Sequence, residues 1–302
     1  MISLTNEYRN KVRTALIAQR ENFDGTDAQF AKQHGINNTV YSRIKTAENL
    51  DGLIRDAQWL DLGLKLDVTL QERTWKAATT DVYRIIEEDV TFCQVYSKSA
   101  MFVDDCGIGK TFTGKHLSRT RKNCFYVDAR QGTTKHAFIR LIARTIGIES
   151  AGRLLEVKAR LKNALRVLPN PVVIIDEAGA PAYDALMELL ELWNATEGTC
   201  GWYLMGADGL RSKVERGMSN QKPGFAELFS RFSERFNSVV PAERQQKIAF
   251  YQKLITDVLT PNMPDTSAIP QIVKRCLTND SGRISGLRRA ESLAILFQNQ
   301  PA

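Results

Sequence analysis

Lys110 and Thr111 follow two closely spaced glycines in the run Phe102-Val103-Asp104-Asp105-Cys106-Gly107-Ile108-Gly109-Lys110-Thr111. A phosphate-binding loop needs these residue types in this order. Glycines let successive backbone N–H groups face phosphate oxygens, the lysine ammonium reaches the β- and γ-phosphates, and the threonine hydroxyl holds Mg2+. Against the template G-x-x-x-x-G-K-[ST], Gly109, Lys110 and Thr111 fit, and Asp104 stands where the first glycine belongs. A carboxylate there repels phosphate unless it points away. Gly107, Ile108, Gly109, Lys110, Thr111 and Phe112 are the candidate contacts to ATP.

A second run, Pro171-Val172-Val173-Ile174-Ile175-Asp176-Glu177, is apolar until it ends in two carboxylates. That pattern predicts a central parallel strand with an acidic tip. Asp176 would hold the Mg2+ of the nucleotide, and Glu177 would polarise the attacking water as general base. A strand can also end in a merely solvated acidic turn; the glycine loop upstream, in the expected chain order, favours the nucleotide reading.

These groups need a sheet to bring them together. Residues 80–97 read as a helix before a first strand at 100–103, which presents the loop at the strand's carboxyl end, where open α/β sheets bind ligands. Further strands are predicted at 123–128 and 201–206, and helices at 136–146, 154–168 and 183–194. The alternation predicts an α/β fold with a parallel sheet covered by helices. Val239-Val240-Pro241 reads as a short final strand, and residues 242–302 as a helical lid with Pro261, Pro264 and Pro270 in its connections. Between them, Phe225 to Phe236 places Arg231 and Arg235 four apart, on one face of a predicted helix. An arginine lent to a neighbouring subunit would neutralise charge on the γ-phosphate; by spacing alone, both are surface residues.

Two stretches suggest nucleic acid. Ala129-Arg130-Gln131-Gly132-Thr133-Thr134-Lys135 is short, polar and basic, so that Arg130, Thr133, Thr134 and Lys135 either touch a phosphate backbone or begin the next helix as caps, with spacing slightly favouring the caps. Upstream, residues 4–20 and 27–34 have helical spacing around the turn residues Asp24, Gly25 and Thr26. Phe30, Ala31, Gly35, Ile36, Tyr41 and Ile44 then fall at helix-turn-helix spacing, with a recognition helix over 38–47. Asn37, Asn38, Thr39, Ser42, Arg43 and Lys45 there are donors of the kind that meet bases and phosphates. Residues 1–75 carry ten basic and ten acidic side chains, a balance that equally suits a module for protein contacts. Residues 53–68 would complete this small helical domain, and 69–77 connect it to the rest.

The net charge of +7 therefore falls downstream, on the ATP-binding part, and favours an acidic partner. Five scattered cysteines without a C-x-x-C pair argue against zinc or a disulfide framework and fit a reducing cytoplasm. Residues 1–13 hold no apolar signal core, and no run approaches the roughly 20 apolar residues of a membrane span.

Taken in order, the helix-turn-helix pattern, Gly107 to Thr111, the strand ending in Asp176 and Glu177, Leu204-Met205-Gly206, and Phe225-Ala226-Glu227-Leu228-Phe229-Ser230-Arg231 resemble the phage Mu B transposition protein family over nearly the whole chain. The resemblance implies an AAA+ ATPase core over 76–241, a C-terminal lid over 242–302, and a helix-turn-helix domain over 1–75. It further implies a protein that binds ATP with Mg2+, hydrolyses it slowly, assembles as a homo-oligomeric filament or ring on double-stranded DNA with little sequence preference, and delivers target DNA to a transposase. In that pattern Asp176 and Glu177 are the Walker B pair, Arg231 is the arginine finger with Arg235 in reserve, and Arg130 to Lys135 is the DNA-contacting segment. Ser281 to Arg288 resembles the region of the second sensor, with Arg283 and Arg288 both open. Ala207 stands where the family has a polar first sensor, with Asp208 open as its replacement; Ala207 and Asp104 would slow hydrolysis while leaving ATP binding. A replication-type loader, or a DNA-binding regulator using its ATPase domain as a nucleotide-gated oligomerisation module, are the rival expectations.

Overall fold

The structure is a computed structural model that describes residues 4–21, 23, 25–66, 68, 75–278 and 284–298. Arg283 and part of the connector at 69–77 lie outside the described residues.

Four helices come first: α1 (Asn6–Glu21), α2 (Asp27–Gln33), α3 (Asn38–Thr46) and α4 (Asp56–Lys65). Local chemistry sets their starts. Thr26 accepts from the Gln29 amide while the Gln29 side chain reaches back, and the Asn37 side chain accepts from the Val40 amide at 2.8 Å. Tyr8, Val12, Leu16, Phe30, Tyr41, Ile44, Trp59 and Leu62 close a core of their own. Each side chain of this size contributes about 1.5–3 kcal/mol by leaving water.

Helix α5 (Asp81–Tyr96) leads into β1 (Ser99–Val103), α6 (Lys110–Thr120), β2 (Cys124–Asp128), a single 3-10 turn (Ala129–Gln131), α7 (Lys135–Ile146), α8 (Leu154–Val167), β3 (Val172–Asp176), α9 (Tyr183–Ala195), β4 (Gly201–Gly206), α10 (Asp208–Ser219), α11 (Phe225–Arg231) and β5 (Phe236–Asn237). Helices α12 (Arg244–Leu259), α13 (Ile269–Leu277) and α14 (Leu287–Gln298) follow. All strand pairs are parallel, in the order β2-β3-β4-β1-β5. The chain leaves β1 for the far edge at β2, fills back through β3 and β4, and then adds β5 on the other side. The order thus reverses at β1, and the crevice at its carboxyl end is where such a sheet receives a ligand.

Alternation along the strands builds two cores. Met101, Val103, Val173, Ile175, Trp202 and Leu204 pack under α7, α8 and α9, whereas Ala100, Phe102, Val172, Ile174, Tyr203 and Met205 pack under α5, α6 and the start of the lid. A sheet buried on both faces explains why β1, β3 and β4 are buried at every position. The lid helices close a further core through Ile255, Leu259, Ile272, Cys276, Leu293 and Ala294.

Several expectations need correction. Strand β5 is Phe236–Asn237, paired with Met101 and Phe102, and not 239–241. Arg231 and Arg235 do not share a helical face: α11 ends at Arg231, and Ser233 and Glu234 turn the chain through φ of 68° and 51° before Arg235. Pro270 lies inside the first turn of α13, where its missing N–H is harmless, rather than in a connection. Helix α10 was not anticipated; its polar run 208–219 buries only Leu210, Val214 and Gly217.

Candidate nucleotide site

β1 and β4 end together at the Val103–Gly206 pair, and β3 ends at Asp176 on the other side of β4, which brings the loop after β1 towards the acidic tip of β3. Gly107 and Gly109 hold φ of 76° and 103°, a region that side chains with a Cβ seldom enter. Gly109 is the N-cap of α6 and offers no capping side chain, so the first amides of that helix keep their donors for an anion.

The Lys110 ammonium, 9% exposed, donates to the backbone oxygens of Asp104 and Asp105, both at 2.6 Å. Burial lowers its pKa, and nearby Cys106, Asp104, Asp176 and Glu177 work against that shift. Asp176, 2% exposed, accepts at one oxygen from the Thr111 hydroxyl and from the Tyr126 hydroxyl, each at 2.7 Å. Burial, and then the Asp176 charge, raises the Tyr126 pKa, so this phenol stays a donor. Thr111 and Asp176 therefore present a hydroxyl and a carboxylate at one point. That pair of hard oxygens fits Mg2+, which commonly takes one or two protein oxygens and completes its shell with phosphate and water. Among the described residues no cluster of three His, Cys, Asp or Glu side chains suits a metal. Mg2+ bound there would supply charge neutralisation at the phosphates.

Glu177 follows with a positive φ of 52°, rare for a residue with a side chain, and its amide donates to Asp176 Oδ1 at 2.9 Å. Such a conformation costs about 1–3 kcal/mol. The Arg130 guanidinium lies 3.6 Å from Glu177 Oε1 and 3.5 Å from Asp128 Oδ1.

The Asp104 carboxylate is occupied by backbone amides. Its Oδ2 accepts from the Val239 and Val240 amides at 2.6 and 2.9 Å, and its Oδ1 from the Asp105 amide at 2.8 Å. These bonds tie the carboxylate to the segment after β5 and to its own neighbour, while its charge still acts on Lys110. Asp105 in turn accepts from Lys247 at 2.6 Å and from Tyr251 at 2.9 Å, both on α12. Burial pushes its pKa up, but Lys247 and Tyr251 outweigh that and leave it below the usual carboxylate value. The lid also meets the loop directly. The Leu287 amide donates to Gly107 O at 2.8 Å, and a Cβ on Gly286 would come within 2.6 Å of that same oxygen.

Residues 98–214 match the AAA domain family. The chain carries an AAA domain. The matched stretch runs from the start of β1 into α10 and contains the glycine loop, Asp176 and Glu177, and it supports an ATPase-type enzyme that binds nucleotide, usually with Mg2+. None of the curated proteins matches the chain. No helix among the described residues is long and apolar enough to cross a membrane.

Around this AAA domain the remaining candidates are scattered. Cys106 to Phe112, Asp176, Glu177, Arg130, Ala207 and Arg288 line one cleft of about 1210 Å³. Asp208 sits exposed in the first turn of α10. Arg231 lies elsewhere, its guanidinium 4.8 Å from the centroid of the Trp193 ring on α9. In the basic loop, Arg130, Thr133, Thr134 and Lys135 are exposed but engaged: Thr134 caps α7, Thr133 O accepts from the Ala182 amide at 2.7 Å, and Lys135 pairs with the buried Glu188 at 2.5 Å. Residue types alone missed Tyr126, Asp105, Lys247 and Tyr251. A tyrosine in a strand or an apolar helix reads as core, and only its hydroxyl's partner distinguishes it.

Proposed function

We propose that the chain is an ATP-hydrolysing, DNA-associated machine of the transposition target-selection type, assembling as a homo-oligomer on double-stranded DNA and handing that DNA to a transposase. The observation that carries the nucleotide part is the convergence of Lys110, Thr111 and Asp176 at the mouth of an uncapped helix. Its extension to DNA rests on Arg130, which is both the first cation of the basic loop and the ion partner of Glu177.

In this reading the amides of Gly107 to Lys110 and the Lys110 ammonium bind the β- and γ-phosphates. Thr111 and Asp176 would hold Mg2+, with Tyr126 orienting Asp176. Glu177 takes the proton of the attacking water. The Arg130 guanidinium, 3.6 Å from that carboxylate, competes for its oxygens. A DNA phosphate that draws Arg130 away frees Glu177, which makes hydrolysis DNA-stimulated. Contacts from Thr133, Thr134 and Lys135 would add salt-dependent, sequence-independent affinity. Asn38, Thr39, Ser42 and Arg43, all exposed on α3, are a second surface for DNA. Arg231, exposed and stacked on Trp193, is the arginine offered to a neighbouring protomer's γ-phosphate.

ATP turnover and sedimentation with and without duplex DNA test this. Turnover rising with DNA, and ATP-dependent co-sedimentation, are expected; ATPase activity indifferent to DNA would leave an AAA enzyme with a different partner. Arg130→Ala should raise DNA-free turnover and reduce its stimulation. Subunits carrying Lys110→Ala and Arg231→Ala should recover some hydrolysis when co-assembled, because the first lends its arginine to the second.

A further inference from the structure

Helix α1 belongs by its buried side to the N-terminal core, through Tyr8, Val12 and Leu16. The adjoining stripe, Glu7, Asn10, Lys11, Thr14, Ala15 and Ala18, lines the same cleft as the phosphate loop, with Ala15 also packed against the N-terminal core. These positions recur at the three- and four-residue spacing of one helical stripe. The cleft therefore has three walls from three parts of the chain. The loop and α6 form one, Leu259, Leu287 and Ala290 of the lid a second, and α1 the third. At about 1210 Å³ it exceeds the roughly 300–1000 Å³ of ordinary ligand pockets, so it has room for more than the phosphates. From the loop, α6 runs outward past Phe112, Lys115 and Arg119, which line the cleft together with the α1 stripe.

Among the described residues, polar contacts cross the joint between the N-terminal helices and the rest. Gln33 donates to Thr145 O at 2.7 Å, Lys32 pairs with Glu149 at 2.9 Å, and Arg119 donates to Leu66 O at 3.5 Å. On the lid side, the Trp75 indole donates to Glu291 at 3.0 Å and the Lys76 amide to Asn262 at 2.6 Å, which straps the chain leaving the N-terminal helices to the lid. Surface pairs of this kind contribute about 0–1 kcal/mol each. A ligand touching both sides is then a large addition to the joint.

We propose that α1 is a wall of the nucleotide site itself, so that the nucleotide held by the phosphate loop binds across the joint and locks the N-terminal helices onto the AAA domain. The proposal rests on the nucleotide reading above. By linkage the effect is reciprocal: docking of α1 raises nucleotide affinity by the factor by which nucleotide favours docking. Bound nucleotide then adds to the contacts that hold the exposed face of α3 relative to the basic loop, which makes ATP a determinant of how both surfaces are presented together.

The test uses the full chain, a fluorescent ATP analogue, and hydrogen exchange over residues 7–18. Thr14→Trp and Ala18→Trp put bulk into the cleft from two exposed positions of α1. Each is expected to weaken nucleotide binding about tenfold or more, with thermal unfolding in the absence of nucleotide as in the unsubstituted protein. ATP should slow exchange over 7–18 several-fold in the unsubstituted protein and leave it unmoved in Lys110→Ala. Wild-type affinity in both tryptophan variants, or exchange over 7–18 indifferent to ATP, overturns the proposal while the nucleotide site stands. If the unsubstituted protein binds no nucleotide, the reading of the cleft fails first and the proposal with it. Should the tryptophan variants unfold, exchange in the unsubstituted protein decides alone.

Discussion

The loops after β1 and β2 start alike, since each is polar, follows a buried parallel strand and opens a helix. They end as opposites. At the start of α6, two glycines of positive φ and the lack of a capping side chain leave backbone donors facing a cleft. At the start of α7, Thr134 supplies the cap, and Lys135 is tied to Glu188, which also pairs with Lys158 at 2.7 Å. Lys158 and Lys162 both pair with Glu191, extending the chain of charges across α8 and α9. A loop whose own partners satisfy it is anchored, whereas a loop that leaves its donors unmet is built for something that arrives. An anion reaching the second loop must compete with carboxylates of the chain itself.

The largest expected effect breaks that anchoring. Glu188→Ala leaves Lys135 without its partner and Lys158 with Glu191 alone, and should cost about 3 kcal/mol in urea denaturation, the low end for breaking a buried pair; a loss under about 1 kcal/mol would mean that the ion pairs are not holding α7 and α9 together. Lys110→Ala should weaken ATP binding by about 100-fold, near 3 kcal/mol, with stability little changed, and equilibrium binding checks it. Unaltered affinity would place the phosphates elsewhere.

Asp104→Gly restores the template glycine and provides a sharper contrast. It should leave ATP affinity no better and cost about 2 kcal/mol, because the Val239 and Val240 amides lose their acceptor. Tighter ATP binding with unchanged stability would show that the carboxylate does act on the phosphates. The smallest effect is on pH dependence. Asp105 has a folded pKa below its unfolded value of about 3.9, so its stabilising contribution is present above that value and is lost as pH falls through the lower folded one. Asp105→Asn should flatten this acid limb of a stability-versus-pH curve. An unchanged limb would assign the acid sensitivity to other carboxylates.

The contrast between the loops also explains what was legible from residues alone. A phosphate loop is written in residue types because its chemistry is backbone chemistry: Gly107, Gly109, Lys110 and Thr111 carry the required φ values, charge and hydroxyl themselves. The apolar run before Asp176 announces a strand buried on both faces for the same reason. The fate of Arg130 and Lys135 was not legible, since nothing near them in sequence names Glu177 or Glu188, which stand 47 and 53 positions further along. The four-residue spacing of Arg231 and Arg235 does not reveal that α11 ends at Arg231 and that Ser233 and Glu234 turn the chain away.

By itself the sequence determined the α/β alternation, the phosphate loop and the acidic strand tip, since each depends on periodicity or residue type within a few positions. Only the tertiary structure decided where Asp104 points, which hydroxyl orients Asp176, which carboxylates hold the basic loop, and that α1 faces the cleft. Those outcomes depend on which distant groups the sheet order and helix packing bring within hydrogen-bonding reach, and local spacing carries no record of them.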